Sequence, residues 1–146
     1  MSLIRSSLLL VMLLLSGCAS AGSWVELGGQ RYKVEVADDD AERARGLMFR
    51  DQLAAGTGMI FLHDREEPQA YWMKNTKIAL DILYFDSAHK LVAQQRDVPP
   101  CSAGNACPPY PSNAPARYVL ELNAGEAAKL KLQNGAELKF SKDILP

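Results

Sequence analysis

Histidine is scarce in this sequence: among 146 residues only His63 and His89 occur, both in stretches expected to turn, with charged or polar neighbours. No His-Glu-x-x-His run is present, and no spacing supports a zinc site or a histidine-based triad. A Gly-x-Ser-x-Gly elbow is missing as well, which removes a familiar serine-hydrolase signature. Charge of one sign is also lacking. Lys and Arg number 16 against 17 Asp and Glu, without a basic run, so nothing in the electrostatics points to nucleic acid as a partner. No internal repeat and no long linker divides the chain. These absences leave no residue to name as catalytic, no metal centre and no cofactor.

What is present begins at the N-terminus. Arg5 is the single charge of a short leader, Leu8 to Leu15 form an apolar run, and Ser16-Gly17 is a small-residue cleavage site. The run is well below the roughly 20 residues of a spanning helix. Leu15-Ser16-Gly17-Cys18 has the form of a bacterial lipobox. Residues 1–17 are therefore expected to be an export signal and Cys18 the site of lipid attachment. An ordinary signal with an incidental cysteine fits less well, because Cys18 directly follows the small pair. Cleavage removes one charged residue, Arg5, and leaves 129 residues with 15 basic and 17 acidic side chains. Membrane attachment then rests on the lipid, since one acyl chain holds marginally and several hold firmly. Residues 18–23 form the tether, of which Ala19 to Ser23 reach at most about 18 Å. By resemblance to Gram-negative lipoproteins, Ala19 rather than an aspartate after the cysteine implies the outer membrane, facing the periplasm.

Residues 24–146 are long enough for one domain that buries about two-thirds of its unfolded surface, and a monomer is expected. Trp24 to Leu27 and Gln30 to Val36 flank Gly28-Gly29, a two-residue hairpin turn. Tyr32, Val34 and Val36 alternate with Arg31, Lys33 and Glu35, so the second strand has one dry face. Asp39 and Glu42 suggest a capping box for a helix whose apolar side is Ala41, Ala44, Leu47 and Met48. Met59 to Leu62 and Ala70 to Lys74 read as short strands around a charged turn, His63 to Pro68. Ile78 to Phe85 is the strongest strand and is expected to pair with Lys90 to Val98 across Asp86 to His89. Residues 99–115 hold six of the eight prolines and read as an extended loop without ladder donors. Tyr118 to Leu122 resumes as a strand, Asn123 and Glu126 cap a short helix, and Asn134-Gly135 turns into Ala136 to Ser141. The pattern predicts an α+β domain, mainly β, built as a compact β-barrel or sandwich with two short helices.

Cys101 and Cys107 lie in the proline-rich stretch with five residues between them. In an oxidising compartment, with Cys18 lipidated, these two thiols are expected to form a disulfide. A bridge over so short a loop contributes about 2 kcal/mol in the chain-entropy model. The alternative is a redox-active pair, which the spacing and the crowding prolines disfavour.

Several runs occur in one order: Arg45-Gly-Leu-Met-Phe-Arg50, Gly58-Met-Ile-Phe61, Tyr71-Trp-Met-Lys-Asn-Thr76, Leu80-Asp-Ile-Leu-Tyr-Phe85, Tyr110-Pro-Ser112 and Tyr118-Val-Leu-Glu-Leu122. Together they resemble the uncharacterised domain-of-unknown-function family numbered one hundred and ninety-two, over nearly all of residues 24–141. Ala79 stands where that family usually has proline, and Ala136 where an acidic residue is common. The resemblance implies a compact β-rich fold, often exported, with no settled activity.

Asp81 interrupts a strand that is apolar on both faces. A carboxylate there needs a cation or several donors. One reading pairs it with Arg45, Arg50 or Lys74 in a buried ion pair. The other places it at the base of a pocket. Trp72, Lys74 and Asn75 set an aromatic ring beside a cation and an amide, which suits a polar ligand with an apolar face, such as a sugar or cell-wall fragment. The plainer reading is a core tryptophan followed by an Asn-Thr turn. Tyr110 is placed to close such a pocket from outside. Met48, Met59 and Met73 are soft ligands of the kind that holds Cu(I), but each sits on an apolar stretch where methionine is an ordinary core filler, the reading preferred here. The preferred expectation is an envelope lipoprotein that binds a small polar ligand or envelope component near Trp72, Lys74, Asn75 and Asp81. The alternatives are an envelope hydrolase or transferase using Asp81 as acid or base, and an interaction scaffold using loop 99–115.

Overall fold

The computed structural model describes residues 22–145. The export signal, Cys18 and the tether as far as Ala21 lie outside the described residues. Seven strands form one sheet: β1 (Trp24–Leu27), β2 (Gln30–Ala37), β3 (Thr57–Trp72), β4 (Leu80–Phe85), β5 (Leu91–Val98), β6 (Pro109–Asn123) and β7 (Leu138–Phe140). Their spatial order is β5-β4-β6-β3-β2-β1-β7, and only β2 and β3 run parallel. Two short helices complete the domain, α1 (Asp40–Arg45) and α2 (Glu126–Lys129). The sheet curls into a half-barrel. A bridge between Lys90 and Glu137 draws the two edge strands together at one end.

Local chemistry accounts for most of these elements. Gly28 and Gly29 both have positive φ, 59° and 79°, as the tight turn of the β1–β2 hairpin requires. The Glu42 N–H donates to Asp39 Oδ1 at 2.7 Å, so Asp39 caps α1 as its side chain predicts. The helix is shorter than expected. It stops at Gly46, whose φ is 46° and which lies against the Phe61 ring, where an added Cβ would come within 3.3 Å. Leu47 is therefore buried from the loop after α1, and Ala41 and Ala44 stay exposed. Burying Leu47 contributes about 2 kcal/mol toward holding that loop on the sheet.

The largest departure from expectation lies in the middle of the chain. His63 to Pro68 is not a turn. β3 continues through it, with register shifts against β6 between Leu62 and Glu67 and between Pro68 and Ala70. Nor are residues 109–115 a loop, because β6 begins at Pro109 and pairs with β3 as far as Trp72. β4 pairs with β6 only from Tyr118 onward, so this ribbon has an open edge. A proline there costs no ladder bond on its open side. Cys101 and Cys107 are joined in a disulfide, their Cα atoms 6.0 Å apart, around a 3-10 turn at Gly104–Ala106. The Cys101 N–H donates to the Thr76 carbonyl and docks the bridged loop beside the end of β3.

Each side of the sheet carries its own core. The first draws on all seven strands and fills the inside of the curl, with Leu27, Val34, Ile60, Phe85, Leu91, Leu120 and Leu138 among its members. The second lies on the other face and contains Met59, Phe61, Met73, Ile82, Tyr84 and Val119, with Leu47 packed into it.

Candidate functional site

The acid singled out by the sequence is fully enclosed. Asp81 is 0% exposed, and its oxygens accept N–H bonds from Asp97 at 2.8 Å and Ala127 at 2.7 Å. Ala127 belongs to the first turn of α2, and Asp97 has a positive φ of 50° that turns its N–H inward. Neither the expected ion pair nor the expected pocket forms around Asp81. Opposite residues of an antiparallel pair project to one face. Asp81 opposes Leu122 and so lies in the first core, across the sheet from Met73 and from Ile82.

The other expected residues disperse as well. Arg50 pairs with Glu35 through its two terminal guanidinium nitrogens, Nη1 and Nη2, and this hydrogen-bonded pairing holds the Glu35 carboxyl below its usual range. Lys74 Nζ donates to Asn105 Oδ1 at 2.6 Å and lies 4.9 Å from the centre of the Trp72 ring. Asn75 has a left-handed backbone, φ 54°, and its carbonyl accepts the Phe49 N–H. It lines a separate apolar hollow of about 330 Å³ with Phe49, Lys77, Pro100 and Cys101. Tyr110 opposes Tyr71 on the ribbon, and its carbonyl accepts the Tyr84 hydroxyl. The three methionines do not share one cavity. Met48 lines a crevice described below, Met59 a neighbouring hollow, and Met73 is enclosed.

Trp72 is not a core residue, being 42% exposed. With Arg43 and Ala44 of α1 and Tyr71 of β3, it lines both a polar groove of about 450 Å³ and a smaller crevice of about 30 Å³. The groove adds Asp40, His63, Asp64, Arg65 and Glu67. Arg43 is held in place, donating to the Asp38 and Leu62 carbonyls and to Asp40. His63 Nε2 and the Tyr71 hydroxyl are 2.9 Å apart. Burial, aided by the nearby Arg43 charge, lowers the His63 pKa. Burial raises the Tyr71 hydroxyl, reinforced by Glu121 and Tyr84.

The crevice reaches Glu121, a residue that sequence reasoning missed. Glu121 opposes Met59 on β3 and Ile82 on β4, and is 5% exposed within the second core. No side-chain hydrogen bond or ion pair meets it among the described residues. Burial alone pushes its carboxyl up to about 8, so it holds its proton at neutral pH. Every sealed side-chain nitrogen or oxygen among the described residues has a partner. The Glu121 oxygens therefore reach the crevice, beside Phe61, Tyr71, Trp72 and Thr76. The signal was available in the sequence. Tyr118 to Leu122 is apolar on both faces apart from Glu121, the same anomaly that marks Asp81.

Fold and cleft together define a class: a curled half-barrel domain with a cleft between helix and sheet, floored by a neutral acid. The chain belongs to the DUF192 family, "Uncharacterized ACR", which it matches over residues 23–140. A protein of unknown function from Novosphingobium aromaticivorans is similar in structure, with TM-score 0.72 and 33% identity over 80% of this chain and 82% of that one. A Sinorhizobium meliloti protein described as a candidate transcription regulator also has TM-score 0.72. It is 32% identical over 81% of this chain and 91% of its own. No curated protein matches the chain.

Proposed function

We propose that this chain is a cell-envelope lipoprotein, exported by residues 1–17 and anchored through Cys18, whose domain binds a small polar ligand or an envelope component. The binding site is the cleft between α1 and β3, with Trp72 at its rim and Glu121 at its floor. The observation that carries this reading is a buried carboxyl with no partner among the described residues, facing a crevice that opens beside a polar groove. Such a group is costly unless something bound there satisfies it. Thermal unfolding of the full chain in detergent, against cell-wall fragments, sugars and lipid headgroups, tests the reading. A ligand that raises the midpoint of wild type but not of Trp72→Ala or Glu121→Gln supports it. A panel that leaves wild type unmoved counts against it. Cys18→Ser should abolish lipid labelling and release the protein from membranes, and retained labelling would overturn the anchor.

One observation also favours a second reading, an envelope hydrolase or transferase. Its acid is Glu121 rather than Asp81, because a carboxyl that holds its proton near neutrality beside a histidine–tyrosine pair has the form of a general acid. The scaffold reading has less support. Among the described residues the exposed large hydrophobics are Phe49 and Trp72, both outside loop 99–115.

A further inference from the structure

From the surroundings of Glu121 we infer that the group entering the crevice is a primary ammonium, carried by a polar molecule whose body lies in the outer groove. This rests on the binding reading above and names the chemistry of its ligand. The crevice measures about 30 Å³, roughly the space of one water or one ammonium group. So narrow a space suits a compact head group best. At its floor is the carboxyl of Glu121, a residue 5% exposed, without a side-chain partner among the described residues. Its walls carry three aromatic side chains, Phe61, Tyr71 and Trp72, and the Thr76 side chain. The ring quadrupoles attract a cation over a neutral or anionic group, and a cation beside the carboxyl favours its ionised form, whose charge then holds the cation. The Trp72 ring already accepts one ammonium, that of Lys74 at 4.9 Å.

Two positive groups also line the crevice, Arg43 and Arg45. Arg43 is compensated by Asp40 and by two carbonyls. Arg45 is exposed, where solvent and salt screen it. Tyr71 on β3 and Tyr84 on β4 face the acid in neutral form. On binding, the ammonium keeps its protons, and the neutral Glu121 carboxyl loses its own to solvent as it becomes the carboxylate partner. One proton leaves per site.

The test is calorimetry and carboxyl ¹³C NMR of the full chain in detergent at pH 6.5. The probes are ethanolamine, glucosamine and alaninamide, each against its N-acetyl counterpart, which separates headgroup, amino-sugar and peptide sources. At least one amine should bind, with about one proton released, and N-acetylation should weaken it about 10-fold or more. The Glu121 carboxyl resonance should move to its ionised position, and Glu121→Gln should lose both responses while keeping its fold. If N-acetylated or hydroxyl compounds bind as well as amines without proton release, the ammonium assignment is overturned and the binding site stands. If amines fail while another compound in the wider panel binds at the cleft, the assignment again falls alone. If nothing binds, both readings fall.

Discussion

Asp81 and Glu121 lie on neighbouring strands, one residue out of register, and meet opposite surroundings. Asp81 faces the inside of the curl, where the amides of Asp97 and Ala127 close on its two oxygens. Glu121 faces the other core, and among the described residues no donor closes on it. Both are buried acids in apolar strands, and only one is finished by the fold. Asp81 pins α2 and the end of β5 to the sheet. Glu121 leaves its polar capacity to whatever occupies the cleft. Burial of an acid is thus no guide to its role until its donors are counted.

The contrast can be broken most forcefully at Asp81. Asp81→Leu orphans one buried and one partly buried amide and should cost on the order of 3 kcal/mol in urea unfolding. A loss below about 1 kcal/mol would show that the amides find other partners. Glu121→Gln should act in the opposite direction. Between the ordinary value of 4.5 and about 8, the unfolded chain gives up the Glu121 proton while the folded chain keeps it. Wild-type stability therefore falls as pH rises through that window and levels off above it. Glu121→Gln removes this contribution, gaining about 3 kcal/mol at pH 7 and nothing at pH 4. Parallel stability curves for the two proteins would refute the assignment.

A smaller effect separates the two sites by position. Replacing Cys101 and Cys107 with serine should cost about 2 kcal/mol. It loosens the loop that holds Lys74 through Asn105 beside Trp72. The carboxyl resonance of Glu121 should respond and that of Asp81 should not, and equal responses would dissolve the distinction. Trp72→Ala comes last, with a change in stability under about 1 kcal/mol, because the ring is half out of the protein and its contact with Lys74 is near the surface.

Local chemistry made much of the fold legible. The glycine pair of the β1–β2 hairpin, the Asp39 cap, the β4–β5 pairing and the disulfide each depend on residues close in sequence, and each can be read from them. The β3–β6 ribbon depends on a partner about 45 residues away. Its charges and prolines resemble a turn and a loop when read alone. At the site, an acid in a two-sided apolar strand was legible for Asp81 and equally present for Glu121. What distinguishes them was not legible, because the donors to Asp81 are backbone amides positioned by a kink at Asp97 and a helix start at Ala127, and neither carries a side-chain signature. Trp72 stood out by type. Arg43, Ala44 and His63 reach the cleft only because α1 crosses over the sheet between the parallel strands β2 and β3.

The open edge of the ribbon has a consequence for how copies of this domain coexist. An exposed strand edge is a template for pairing with the same strand of another molecule, which is how sheets grow into aggregates. Along its unpaired stretch β6 carries Pro109, Pro111 and Pro115, all exposed. Each withholds a donor from an incoming strand, so the prolines that disguise this segment as a loop also act as its guard against polymerisation.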